Sequence, residues 1–239
     1  MKKLSFVLIL LALSQGIHSQ IIEKVIDSAR IEKLDEVLVK AIRVEASSPI
    51  THSNVSKAEL ATRNLGQDLP ILLNYLPSVV TTSDAGAGIG YTGIRVRGLS
   101  AQSTNITING IPYNDAESLG TFWVDLPDFA SSVESLQLQR GVGTSTNGSG
   151  AFGASINLNT LGSDGVKPFG EISNSFGSFN TIKNTVRFGT GLLNNNWTFE
   201  GRLSQLKSDG YIDRASSDLK SYYLAGGYVG DKTMLKAVV

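Results

Sequence analysis

The C-terminal part of the chain alternates apolar and polar residues with a period of two. Ile182, Val186, Phe188 and Leu192 fall on one parity, and Lys183, Thr185, Arg187 and Gly189 on the other. Trp197, Phe199 and Leu203 alternate likewise with Thr198, Glu200, Arg202 and Ser204, and Tyr222, Leu224 and Tyr228 with Ser221, Tyr223, Ala225 and Gly227. Side chains of an extended chain point to opposite faces in turn, so each segment predicts a strand with one apolar and one polar face. The segments run to about ten residues, the length a tilted strand needs to cross a bilayer. Short links at 177–180, 194–196 and 230–232 contrast with a long one at 206–218. Short turns at one end and longer loops at the other characterise an outer-membrane barrel. A soluble β-sandwich shares the alternation and would be preferred on that alone.

Residues 45–163 carry a mixed pattern. Ser56-Lys57-Ala58-Glu59 is a capping box that predicts a short helix through Arg63. A second helix is predicted from Asp68, with Pro70 in its first turn, an apolar face of Leu69, Leu72, Leu73 and Leu76, and Pro77 as its stop. Strand-like alternation follows at Ile94-Arg95-Val96-Arg97, Ile106-Thr107-Ile108, Leu136-Gln137-Leu138-Gln139 and Ile156-Asn157-Leu158-Asn159. Asn109-Gly110 predicts a tight turn before Ile111-Pro112. A small mixed α and β domain is the expected result.

The N-terminus favours the membrane reading. Lys2 and Lys3 precede an apolar stretch at residues 4–13, followed by small and polar residues ending at Ser19. This is a secretory leader, 1–19, because the apolar stretch is too short to span a bilayer as a helix. With no second stretch of that kind, membrane residence would have to use strands. Residues 20–44 are charge-dense and close on a β-prone stretch in which Val37, Val39 and Ala41 share a face. That stretch could add as a strand to another protein's sheet edge or form an ordinary edge strand.

Composition removes several classes of function. The 239 residues balance 21 basic against 21 acidic side chains, which leaves no basic face for nucleic acid. With no Cys and only His18 and His52, disulfides, redox pairs and a histidine metal cluster drop out. Residues 88–93 and 148–153 match G-x-G-x-x-G, yet each runs into a strand where a dinucleotide site needs a helix. The carboxylate pairs Asp115 with Glu117 and Asp125 with Asp128 read as turn and helix-start residues, so nothing calls for an enzyme or a cofactor. Arg95, Arg97 and Arg140 are the only basic residues between 81 and 163, which invites specific partners for them.

The order of these pieces resembles a TonB-dependent outer-membrane receptor of the iron-complex type. Asp35, Glu36, Val37, Leu38, Val39, Lys40 and Ala41 look like its TonB box. Ile94-Arg95-Val96-Arg97-Gly98 resembles the "I-R-G" strand of its plug, and Thr107-Ile108-Asn109-Gly110-Ile111-Pro112 its "I-D-G-V-P" hairpin. Residues 133–141 and 148–157 resemble the closing signature of the plug. Asn109 stands for the usual Asp and Val142 for the usual Pro.

The resemblance implies an α+β plug followed by the start of a transmembrane antiparallel β-barrel, of about 22 strands when complete. It divides the chain into a leader at 1–19, an extension with the TonB box at 20–44, a plug at 45–163 and the first barrel strands at 164–239. It implies a cell outer membrane location amid lipid, and import of a scarce ligand, first an iron chelate such as a siderophore, ferric citrate or haem. TonB, with its inner-membrane energising complex, would drive the import. Cobalamin or oligosaccharide import and a non-transport β protein such as an adhesin are the alternatives. In such receptors plug arginines meet barrel glutamates, which maps onto Arg97 and Arg140 as a latch. The apical loops, 83–92 and 113–122, would supply ligand contacts from Tyr91, Tyr113, Asn114, Asp115, Glu117, Ser118 and Trp123.

Overall fold

The computed structural model describes residues 43–45, 47–142, 150–160, 167–230 and 233–239. The leader at 1–19 and the 35–41 segment lie outside these residues. Helix α1, Lys57–Arg63, forms where the capping box places it: Glu59 N–H donates to Ser56 Oγ, and the Glu59 carboxylate accepts from Ser56 N–H. Helix α2, Leu69–Leu72, is shorter than the apolar spacing predicts. Its continuation tightens into turns in which Asn74 bonds back to Ile71 and Leu76 to Leu73, ahead of Pro77. Leu69, Leu72, Leu73 and Leu76 are nevertheless all buried, so the apolar face survives the change of helix type.

Strands β1 (His52–Ser56), β4 (Thr104–Ile108), β5 (Ile111–Pro112), β6 (Ser135–Arg140) and β7 (Ala154–Asn159) form one sheet in the order β1-β6-β7-β4-β5. Strands β4 and β7 run parallel and the other pairs antiparallel. Strands β2 (Val79–Ser83) and β3 (Thr92–Val96) pair separately. Asn109 and Gly110 both take positive φ, 52° and 84°, giving the primed turn that their sequence predicts. Val55, Ile106, Leu136, Leu138, Ile156 and Leu158 pack from one face of the sheet against Leu60, the α2 leucines, Ile94 and Val96. The other face is polar, and register aligns Asn54, Gln137, Asn157 and Thr107 across four strands, with Asn54 exposed at the edge and the other three buried. Gln137 Nε2 donates to Asn54 Oδ1 (2.8 Å) and Thr107 Oγ1 to Asn157 Oδ1 (2.6 Å), which satisfies much of that row.

The second sheet is an antiparallel meander of β8 (Pro168–Gly177), β9 (Thr181–Thr190), β10 (Trp197–Ser208), β11 (Ser217–Val229) and β12 (Met234–Val238). Asn194 and Asn195 turn β9 into β10 with φ of 49° and 61°. The two parities separate as the sequence pattern predicts. Lys183, Thr185, Arg187, Arg202, Ser204 and Tyr223 are buried against the first domain, while Val186, Phe188, Phe199, Leu203, Tyr222 and Leu224 are exposed on the outer face. Leu206 departs from the pattern by facing inward. It packs on Gly66, whose φ of +124° disfavours any side chain and where a Cβ would press on Leu206 Cδ1 at 3.1 Å. Outward side chains turn polar on β10 and β11 at Gln205, Lys207, Asp218 and Lys220, and Trp197 and Tyr228 pair at the other end with centroids 4.8 Å apart. An apolar face of this extent needs lipid or a partner to cover it.

Candidate functional site

The two sheets meet at one buried carboxylate. Asp128 sits in the left-handed region (φ 53°), at the residue before the 3-10 turn Phe129–Ser132, and this aims its side chain at β9 and β10. Its Oδ1 lies 2.9 Å from the Lys183 ammonium and accepts from Ser131 Oγ (2.6 Å) and Asn64 Nδ2 (3.3 Å). Its Oδ2 accepts from Thr185 Oγ1 and Ser204 Oγ, both at 2.6 Å, with Arg202 Nη1 3.7 Å away. Arg202 also donates to the Asp128 carbonyl. Burial alone would push the carboxyl up, but the Lys183 and Arg202 charges and the hydroxyl bonds outweigh it and hold Asp128 below the usual range. The helix-start role that its sequence position suggests is thus a minor part of what Asp128 does.

A second polar contact flanks the first. Arg187 of β9 reaches Glu171 (3.0 Å) and Glu200 (3.1 Å) on its own sheet and lies 3.8 Å from Glu134 of the first domain. Glu134 also takes the Lys57 ammonium at 2.7 Å. Ser221 Oγ donates to the Pro127 carbonyl (2.9 Å), and Tyr223 OH to Thr160 Oγ1 (3.0 Å).

The arginines singled out by sequence are placed elsewhere. Arg140 donates from Nε to the Pro77 carbonyl (2.9 Å) and from Nη2 to Ser53 Oγ, both in its own domain. Burial, and then the nearby Arg97 charge, pull its guanidinium below its ordinary value. Arg97 is exposed with φ 54°, and its Nη1 closes over Gly141, where a Cβ would meet it at 2.7 Å. Across these five strands, then, the domains are joined by carboxylates from the first, Asp128 and Glu134, and cations from the second.

Beside this seam a loop from each sheet meets the other. Ala85 accepts from the backbone N–H groups of Tyr211 and Ile212, and the Tyr211 ring covers Gly86. Tyr211 meets Phe179 edge-to-face at 5.4 Å. Tyr91, Tyr211, Ile212 and Phe179 are all exposed, giving this end an aromatic rim. The loop 84–92 is pinned from below, where Asp68 N–H donates to the Gly88 carbonyl and Thr92 Oγ1 to Asp68 Oδ2 (2.9 Å).

A family model described as the TonB-dependent Receptor Plug Domain matches residues 44–155. Those residues are a TonB-dependent receptor plug. Over 130 residues the chain is 34% identical to the vitamin B12 transporter BtuB of Vibrio vulnificus, covering 53% of this chain and 21% of that one. The ferric yersiniabactin uptake receptor FyuA from Yersinia pestis superposes with a TM-score of 0.59 at 18% identity, over 80% of this chain and 30% of that one. The ferripyoverdine receptor of Pseudomonas aeruginosa gives a TM-score of 0.63 at 16% identity, over 82% and 25% respectively. The chain therefore spans less than a third of the length of these relatives. The fold is that of a plug followed by the first strands of a receptor barrel. TonB-dependent receptors are outer-membrane proteins, so the apolar outer face of β8 to β12 is its lipid face.

Within the plug, the loop residues expected at the ligand divide. Tyr91, Glu117 and Ser118 are exposed. Asn114 is committed to its own loop, accepting from Ile106 N–H (2.7 Å) and donating to the Thr104 and Leu119 carbonyls. Asp115 caps the same loop, accepting from the backbone of Glu117 (3.1 Å) and Ser118 (2.7 Å). Tyr113 is half-buried against the core. Trp123 corrects the expectation of an exposed ring: it is 3% exposed, because its 3-10 turn directs it into the plug core. Tyr211 and Phe179 belong to the rim, and only their place in barrel connections could have signalled it.

Asp68 makes the base of loop 84–92 sensitive to pH. Burial raises its carboxyl to about 7, against the opposing bonds from Thr92 and Gly90. A carboxyl that holds its proton more tightly folded than unfolded stabilises fully below its unfolded pKa near 4, and that stabilisation is lost as pH rises through about 7. The loop should therefore be more protected from protease at pH 5 than at pH 8 in the intact receptor. Asp68→Asn should level the two, the difference between pH 5 and pH 8 corresponding to at most ~3 kcal/mol.

Proposed function

We propose that the complete protein is an outer-membrane receptor and active transporter, importing a scarce ligand through a barrel gated by this plug. TonB and its inner-membrane energising complex drive the import through residues 35–41. The observation that carries this reading is the plug itself, seated on the barrel strands through the buried Asp128, Lys183 and Arg202 cluster. The ligand we propose is an iron chelate. Fold neighbours include receptors for ferric yersiniabactin and ferripyoverdine as well as a copper transporter, and the Tyr91, Tyr211 and Phe179 rim offers flat apolar faces to a bulky chelate.

Cobalamin is the second reading, favoured by the 34% identity with a vitamin B12 transporter. Growth of a strain lacking the whole gene, fed single iron chelates or cobalamin, separates the two. Loss of growth on one chelate supports the iron reading, and loss on cobalamin alone replaces it. Tyr91→Ala combined with Tyr211→Ala should weaken binding of the ligand so identified about tenfold or more, measured on the intact receptor.

A further inference from the structure

We propose that the side-chain amide of Gln137 is the release point of the coupling segment: it clips the chain just after residues 35–41 to the central sheet of the plug, and its opening frees that segment. This rests on the coupling role proposed above for 35–41.

Val44 N–H donates to Gln137 Oε1 (2.8 Å), and Gln137 Nε2 donates to the Val44 carbonyl (3.0 Å). One side chain thus takes both polar groups of one backbone residue, as a neighbouring strand would. Val44 is 7% exposed and Gln137 2%, so neither could turn to water without the segment lifting away. The Gln137 amide is itself held, by Asn54 Oδ1 (2.8 Å) and by Gln139 Nε2 (2.9 Å). Beside it the Arg43 guanidinium donates to Ser135 Oγ and the Ser135 carbonyl, both at 2.9 Å, and to the Asn157 carbonyl (3.1 Å).

These contacts all fall on the polar face of β6 and β7, whose buried Gln137 and Asn157 have no role in the apolar core. Chain order decides what a pull on 35–41 meets first. Arg43 and Val44 come before β1, which is held by a five-residue ladder on β6. Two residues fastened by side chains can open as a unit while β1 keeps its ladder, so the coupling segment can be released without dismantling the sheet.

These 239 residues contain no cysteine, so replacing any cysteine in the rest of the receptor with serine leaves a single introduced thiol to follow. Val44→Cys keeps both backbone groups of the clip and buries a thiol that reacts only when the clip opens. In full-length receptor, in outer membranes from cells lacking TonB, maleimide should label this thiol slowly. Gln137→Ala, and Gln137→Glu, which loses the donor to the Val44 carbonyl, should each speed labelling about tenfold or more. A thiol at Ile106→Cys, in the core, should keep its slow rate in both. An unchanged rate at Val44 in Gln137→Ala, or equal acceleration at Ile106, would overturn the proposal. Because TonB is absent, the result is independent of whether deleting 35–41 abolishes uptake, which tests the coupling role itself.

Discussion

Asp128→Ala is expected to unseat the plug from β9 and β10 and to make the outer membrane permeable to large antibiotics. The carboxylate is fully enclosed, and its removal leaves the Lys183 ammonium and Arg202 guanidinium buried without a counter-charge. Breaking a buried pair in this way costs about 3–5 kcal/mol, more than a surface ion pair would. Thr185 and Ser204 lose their acceptor in the same change. Asp128→Asn keeps an acceptor for the hydroxyls and removes the charge, so it should fall between wild type and Ala. Protease accessibility of the plug and growth on a bulky antibiotic are the readouts, and wild-type values of both for Asp128→Ala would contradict the role given to this residue. Because the Asp128 carboxyl is depressed in the folded chain, its stabilisation is present above the unfolded value near 4 and is lost only as pH falls through its lower folded value. Acid therefore loosens the seam under conditions in which Asp68 is protonated and its loop most stable.

How far the sequence reaches is clear from these two aspartates and their surroundings. Period-two alternation anticipates both sheets because each has two unlike faces, an apolar core face against a polar row in the plug and a polar inner face against an apolar outer one in β8 to β12. The inward parity it picks out, Lys183, Thr185, Arg187, Arg202 and Ser204, is the one buried on the plug. What alternation lacks is the partner. Asp128 reads locally as a residue opening a short turn, and its meeting with Lys183 and Arg202 depends on how the plug is seated, which no local spacing encodes. Arg97 and Arg140 were legible as isolated cations, yet Arg140 is engaged by a carbonyl and a hydroxyl within the plug.

Trp123 and Gln137 show the same limit from opposite sides. An aromatic beside a polar loop reads as a rim residue, and the 3-10 turn instead sends it into the core. A glutamine in an alternating strand reads as solvent-facing, and it is buried beneath Val44. Capping boxes and Asn-Gly turns were legible to the residue because their hydrogen bonds close within four positions.

The second large effect concerns residues 35–41. An extended segment that pairs with a partner's sheet edge contributes main-chain hydrogen bonds, and no side chain elsewhere in the receptor can replace them. Removing it leaves the Asp128 seam, the Tyr91 and Tyr211 rim and the outer lipid face untouched, so ligand capture should persist while energy-driven import stops. Deleting residues 35–41 from the full-length receptor, and measuring ligand binding to cells beside uptake into them, is the most direct test of the account. Binding at the wild-type level with uptake reduced to background is the predicted result, and uptake at the wild-type rate would contradict it.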